Sequence, residues 1–225
     1  MQIVKYLCSL PMERGVDPSA SSPDGVHADA LTEAAAYGRW RVVKYLCSLP
    51  IERGVDPSID DSYALKQAAF AGDVQTLKFL CSLPTERGVD PSVDNNILLQ
   101  HAASHGHVRI VKYLCSLPLE RGVDPSAREN DALIRACSAG GDKCFQIVKY
   151  LCSLPIERGV DPSAQHNESL KKACRWGNMD TFLYLTSLPA ERGVDPVEAL
   201  QFMVGRLQSM EVELAQSNRI ALRRL

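Results

Sequence analysis

The hydrophobic positions of this chain recur with the period of a helix and then recur again with a much longer one. Val43-Lys44-Tyr45-Leu46-Cys47-Ser48-Leu49 places apolar residues along one helical face, with Lys44 on the wet side, and Pro50 prevents the helix from running on. A shorter helix is predicted at Ala64-Leu65-Lys66-Gln67-Ala68-Ala69, ending at Gly72, and again at Asp131-Ala132-Leu133-Ile134-Arg135-Ala136-Cys137, ending at Gly140. Glycine suits the left-handed residue that closes a helix. The segment Leu-Pro-x-Glu-Arg-Gly-Val-Asp-Pro follows each second helix, with its glycine at Gly15, Gly54, Gly88, Gly122, Gly159 and Gly193. The separations are 39, 34, 34, 37 and 34 residues, so a 34-residue unit recurs. The longer intervals are read as loop insertions, one in Ala20–Ala28 and one around Gly141-Asp142-Lys143.

Small Ala and Cys side chains on the first helix allow a neighbour to approach closely, while Val, Leu and Tyr on the second fill the space between layers. No single helix pair can bury its apolar faces alone, so the pairs must stack. The expected fold is all-α, an α-solenoid held by nearest-neighbour interfaces. One array is expected over residues 1–225: a partial repeat and long loop (1–28), repeats at 29–58, 59–92, 93–126, 127–163 and 164–196, and a capping helix region (197–225). Met1 opens inside a second helix, as in a fragment or a degenerate cap. In the capping region Asp195, Pro196 and Glu198 suit N-cap, first and third helical positions. Leu200, Met203, Val204, Leu207, Met210 and Leu214 form an apolar stripe, and Arg223-Arg224 suit the negative end of a helix.

Composition narrows the class. A net charge of −2, with no run of basic residues before the last few positions, argues against a nucleic-acid footprint. No signal-peptide pattern opens the chain and no apolar run reaches the roughly 20 residues needed to cross a bilayer, so an intracellular protein, cytoplasmic or nuclear, is expected. The eight cysteines do not read as a disulfide framework. Cys8, Cys47, Cys81, Cys115 and Cys152 share one slot of the unit, and Cys137 and Cys174 share another; equivalent slots in stacked repeats lie roughly 10 Å apart, too far for a disulfide. They read as reduced, small core hydrophobes.

The unit resembles an ankyrin repeat over nearly the whole chain. The resemblance is carried by Leu65, Ala68, Ala69 and Gly72 of the first helix, the turn Gly106-His107, and Val42-Val43-Lys44 with Leu46 of the second helix. Gly-Val-Asp-Pro-Ser stands in place of the family's Gly-Ala-Asp-x-Asn. Two departures stand out. The family's Thr-Pro-Leu-His is replaced by sequences such as Ser62-Tyr63-Ala64-Leu65-Lys66. Measured against the family unit of about 33 residues, about three residues are missing from the hairpin finger and four are added after the second helix. The resemblance implies shortened fingers, a longer loop at the opposite end of each pair, and a non-enzymatic protein–protein interaction module.

Candidate sites follow from what repeats and what varies. The row Arg14, Arg53, Arg87, Arg121, Arg158 and Arg192 is invariant between units; it reads as structural, bridging carboxylates of its own or the next repeat, rather than as a repeated anion site. Partner binding is expected instead where units differ. In the two slots before the first-helix glycine stand Ala36-Tyr37, Phe70-Ala71, Ser104-His105, Ser138-Ala139 and Arg175-Trp176. Tyr37, Phe70, His105, Arg175 and Trp176 have the composition of an interface hot spot, and the finger residues Asp61, Asn95, Glu129 and His166 are expected to flank them. The competing reading packs Tyr37, Phe70 and Trp176 against adjacent helices. His101 and His105, four apart, with His107 nearby, have the spacing of a metal edge but no third ligand in sight, so no metal and no cofactor are expected. Cys144 lies in an insertion and is expected to be exposed and reactive. No phosphate-binding loop, nucleophile elbow or Cys/His signature suggests catalysis.

The expected function is a non-enzymatic scaffold or adaptor, monomeric, binding a protein partner through a variable concave surface, with neither nucleic acid nor membrane involved. The alternative is a spacer array with no dedicated ligand. Variation also reaches the slot after the loop proline (Met12, Ile51, Thr85, Leu119, Ile156, Ala190), as drift in a spacer would produce.

Overall fold

The computed structural model describes residues 29–198, 200–205 and 208, with 2, 4, 8, 10 and 17–20 nearer the N-terminus. Helices come in pairs: α1 (Ala30–Ala36) with α2 (Trp40–Cys47), α3 (Ile59–Phe70) with α4 (Val74–Cys81), α5 (Val93–Ser104) with α6 (Val108–Ser116), α7 (Ala127–Ala139) with α8 (Gly141–Cys152), and α9 (Ala164–Arg175) with α10 (Met179–Thr186). A single 3-10 turn follows each second helix, as at Leu119–Arg121. Residues 196–198 and 200–205 are helical again, and no strand occurs among the described residues.

First helices pack on first helices and second on second. Leu31, Leu65, Leu99, Leu133 and Leu170 occupy one buried slot of the first helix, followed by pairs of small residues such as Ala68-Ala69 and Ala102-Ala103. Val43, Leu77, Val111, Val148 and Phe182 line the second helices together with Leu46, Leu80, Leu114, Leu151 and Leu185. Small side chains between the first helices allow close approach there, and the side these helices present is the face called inner. On the side of the second helices lysine ammonium groups lie over the aromatic ring of the next repeat, Lys78 Nζ over Tyr113 at 5.3 Å and Lys112 Nζ over Tyr150 at 5.6 Å.

The fingers contract to a single left-handed turn. Asp60-Asp61-Ser62, Asp94-Asn95-Asn96, Arg128-Glu129-Asn130 and Gln165-His166-Asn167 all have φ between 51° and 68°. A non-glycine residue held there costs about 1–2 kcal/mol, so something must hold each turn. Its third residue does, since it is buried and accepts from the loop that ends its own repeat. The backbone N–H of Asp90 donates to Ser62 Oγ at 3.1 Å, that of Asp124 to Asn96 Oδ1 at 3.0 Å, that of Asp161 to Asn130 Oδ1 at 2.9 Å and that of Asp195 to Asn167 Oδ1 at 3.3 Å. One side-chain acceptor per layer thereby does the turn-tying work that the missing Thr-Pro-Leu-His would do.

The rest of the invariant loop docks on the repeat before it. Arg121 donates to the carbonyls of Cys81 (2.8 Å) and Val89 (3.2 Å), and Arg158 to those of Cys115 (3.0 Å) and Val123 (3.2 Å). Arg192 donates to Cys152, Leu154 and Val160. The predicted carboxylate bridges are thus corrected: Arg121, Arg158 and Arg192 each cap a carbonyl at the end of the preceding second helix and reach one in the preceding loop, and Arg87 donates to the loop carbonyl of Val55 at 3.3 Å. Gly122 has φ +71°, and a Cβ there would stand 2.8 Å from Ser92 Oγ of the preceding repeat, so the turn needs glycine twice over. The loop aspartates receive their own serine, as where Ser126 N–H and Oγ–H donate to Asp124 Oδ1 at 2.8 and 2.6 Å. Val89, Val123 and Val160 are buried.

Three other expectations change. The insertion at Gly141-Asp142-Lys143 is the first turn of α8, which runs 12 residues where α4 runs 8. Cys144, carried on that extra turn, is therefore buried rather than exposed, faces the Ala103 carbonyl at 3.7 Å, and has its thiol pKa raised by burial. At the C-terminal end Asp195 accepts from Val197 N–H at 2.8 Å as an N-cap, but Glu198 turns away from the cap to bond Asn167 and, at 2.9 Å, Lys171. That rotation leaves Leu200 and Val204 about half exposed while Met203 packs inward. The remaining stripe (Leu207, Met210, Leu214), Arg223-Arg224 and the insertion at 21–28 lie outside the described residues. Cys47, Cys81, Cys115 and Cys152 are buried free thiols, Cys47 pushed up to about 11 and the other three to about 12 by desolvation, as small core residues should be.

Two stability outcomes follow. Arg121→Ala should cost about 2 kcal/mol in urea unfolding, the scale of hydrogen bonds to a charged group, with little recovery in Arg121→Lys. Within one left-handed turn, Glu129→Gly should raise stability by up to about 1 kcal/mol by relieving φ, while Asn130→Ala should lower it by about 1–2 kcal/mol by orphaning the Asp161 N–H.

Candidate interaction surface

The turn between the two helices of each pair carries the first column of candidates. Tyr37, Ala71, His105 and Trp176 are the C-cap residues of α1, α3, α5 and α9, and Ala139 ends α7. Tyr37 is 72% and Trp176 64% exposed, and His105 is exposed between them. Helix termination explains this: at the left-handed glycine that follows, the chain swings away from the core, and the last helical side chain points outward.

Phe70 does not join this column. It stands one residue earlier, half-buried against the core, with its ring 4.0 Å from that of His101. His101 stacks on His105 at 3.9 Å with the planes 10° apart, and His107 lies 6.1 Å beyond. Rings lying face to face keep their nitrogen lone pairs side by side rather than convergent, and no group of three metal-ligating side chains occurs among the described residues. The three histidines form an aromatic stack within one repeat that extends to Phe70 of the preceding one, with His107 also bonding the Phe70 backbone and seated against Gly72. Arg175, exposed, holds its guanidinium 6.0 Å from the Phe202 ring.

Asp61, Asn95, Glu129 and His166 occupy the middle of the four left-handed turns and are all exposed. They do not flank the column. The first helix separates them from it, and its roughly eight right-handed residues span about 12 Å. Fingers and turns therefore border opposite ends of a common inner face. That face carries residues the sequence reading passed over: Tyr63, Gln67, Ile97, Asp131, Arg135 and Lys172 among them, differing in character from repeat to repeat and partly exposed. Ion pairs tie part of it together, Lys66 to Asp94 across repeats at 2.7 Å and Arg135 to Asp131 within α7 at 2.8 Å. Comparing slots five and nine residues before each closing glycine would have exposed them.

The repeated loops at the other end of each pair are already committed to the fold. Their arginines point into the preceding repeat, and Glu52, Glu86, Glu120, Glu157 and Glu191 stand exposed without forming an ion pair among the described residues.

A family model for ankyrin repeats matches the chain at residues 31–129 and again at 63–165. The chain belongs to the ankyrin repeat family. Members are generally protein–protein interaction modules and generally not enzymes. Among solved structures the chain is similar to an ankyrin repeat family protein from Legionella pneumophila, at 19% identity and a TM-score of 0.41 over 85% of this chain and 67% of that one. No curated protein matches it. No described helix is long and apolar enough to cross a membrane.

The histidine stack makes stability depend on pH. Burial, and secondarily the neighbouring His105 and His107, lower His101 from 6.5 to about 4. An unfolded chain therefore takes up that proton before the folded one does. The stabilisation should be complete above about pH 6.5 and be lost as pH falls toward 4. Thermal midpoints measured from pH 7.5 to 4.5 should fall, and His101→Leu should flatten the profile.

Proposed function

We propose that this array is a non-enzymatic scaffold that binds a protein partner through its inner face and the adjoining turn edge. The observation that carries this reading is the distribution of variation. Core slots repeat as Leu, Ala and Val, the loop repeats almost verbatim, and the exposed end of the first helix reads Tyr, Ala, His, Ala and Trp in successive repeats. Large aromatics left mostly in water at Tyr37 and Trp176 cost solvation and add nothing to the fold, whereas such side chains dominate binding energy at protein interfaces. The family's general role supports the same conclusion, as does the way the loop's arginine, glycine and valine are already used in packing.

Capture from a lysate of the native cells with immobilised protein tests it. Tyr37→Ala/Trp176→Ala should lose the specifically retained proteins and shift the thermal midpoint by no more than about 2 °C, the scale expected of exposed sites. A drop of many degrees would assign the two rings to packing, and unchanged capture would leave the spacer reading standing.

A further inference from the structure

The turn edge gathers positive charge that lies scattered in the sequence. Arg39 and Arg41 project from the first described repeat, Arg109 from the third, Lys143 from the fourth and Arg175 from the fifth, all exposed and none in an ion pair among the described residues. Arg41 leans on the Trp40 ring at 5.7 Å, as Arg175 does on Phe202, which holds both heads outward. Carboxylates are fewer here. Asp73 is engaged by the backbone N–H groups of Gln75 and Thr76 and by the Thr76 hydroxyl, leaving Asp142 and Asp180 as the exposed ones. Between the aromatic ends of the edge run two adjoining grooves that share Gly106 and Lys143. One, of about 420 Å³, is lined by Val74, His107, Val108, Arg109 and Gln146; the other, of about 380 Å³, by Ser104, His105 and Asp142.

We infer that the partner bound on this edge is an acidic, extended protein segment, its carboxylates meeting Arg39, Arg41, Arg109, Lys143 and Arg175 and its apolar side chains meeting Tyr37, Trp40 and Trp176. The inference rests on the reading above that this surface binds protein, and adds the chemistry of what it binds. Five repeats at roughly 10 Å each offer about 40 Å of edge, the length of about 12 extended residues. Arginine forks donate bidentately to carboxylates. The opposite edge, with its row of exposed glutamates, repels the same segment and so selects the turn side. A nucleic-acid strand presents a phosphate about every 3.4 Å, far denser than five cations spread over five repeats, with none on the second and with Asp142 and Asp180 between them.

Fluorescence anisotropy decides the matter, using a fluorescein-labelled synthetic peptide of about 15 residues alternating Glu and Asp with Leu and Phe. Two further probes are its counterpart with Lys at every acidic position and a single-stranded DNA oligonucleotide. The acidic peptide should bind saturably and several-fold more weakly at 300 than at 50 mM NaCl. Arg41→Glu/Arg109→Glu/Lys143→Glu should weaken it about ten-fold or more with unchanged circular dichroism, while Glu120→Lys/Glu157→Lys on the far edge should not weaken it. No saturable binding, equal binding of the lysine peptide, tighter binding of the oligonucleotide, or full affinity in the triple variant each overturns the inference. Lysate capture separates the two levels. If the triple variant keeps proteins that Tyr37→Ala/Trp176→Ala loses, the surface binds protein and only the acidic assignment fails; if neither variant changes capture, the binding reading itself fails.

Discussion

Everything in this structure depends on how one repeat is fastened to the one before it. The loop guanidinium reaches back to backbone carbonyls of the preceding repeat, as Arg121 does at Cys81, the end of a helix, and at Val89 in the loop beyond it. This bond sits where a second helix has just stopped, beside an apolar interface that gives no directional information of its own. Leucine and alanine make the layers adhere, and the arginine sets where they adhere. Once that register is set, Gly122 lies over Ser92 of the preceding repeat, while the Asp124 N–H meets Asn96 within its own.

The same arrangement explains how the chain manages without the family's hairpin finger. Three consecutive residues in left-handed geometry are costly in isolation, and in each turn the third side chain is buried and accepts from a loop N–H. The cost is tolerable because that partner is the backbone N–H of the next loop, already positioned by its arginine. The two preceding residues are then free to vary, and they do, from Asp-Asp to Arg-Glu to Gln-His.

Much of this was legible in the sequence, and the limits have physical causes. Helix pairs, their order and their buried leucines follow from periodicity, since burial must repeat with the helix. The partners of the loop arginines were misjudged because a guanidinium next to Glu and Asp suggests a carboxylate, whereas backbone acceptors leave no mark in a sequence. Cys144 was misplaced because three extra residues look alike as a loop or as a helical turn. The column at Tyr37, His105 and Trp176 was found by comparing copies. Phe70 looked equivalent but falls one slot away, which on a helix means a rotation of about 100° and a different environment. The alignment of Arg39, Arg41, Arg109, Lys143 and Arg175 was hidden because they lie a repeat apart and in slightly different slots.

The fastening runs one way: each unit carries its own plug, the loop arginine, and its own socket, the bare carbonyls that the next arginine reaches. Such a head-to-tail joint does not close on itself. A duplicated cassette would inherit both halves and slot in anywhere without redesign, lengthening the stack by one layer while the variable turn of the new copy remained free to diverge. The almost verbatim loops beside dissimilar turns are the record such growth would leave.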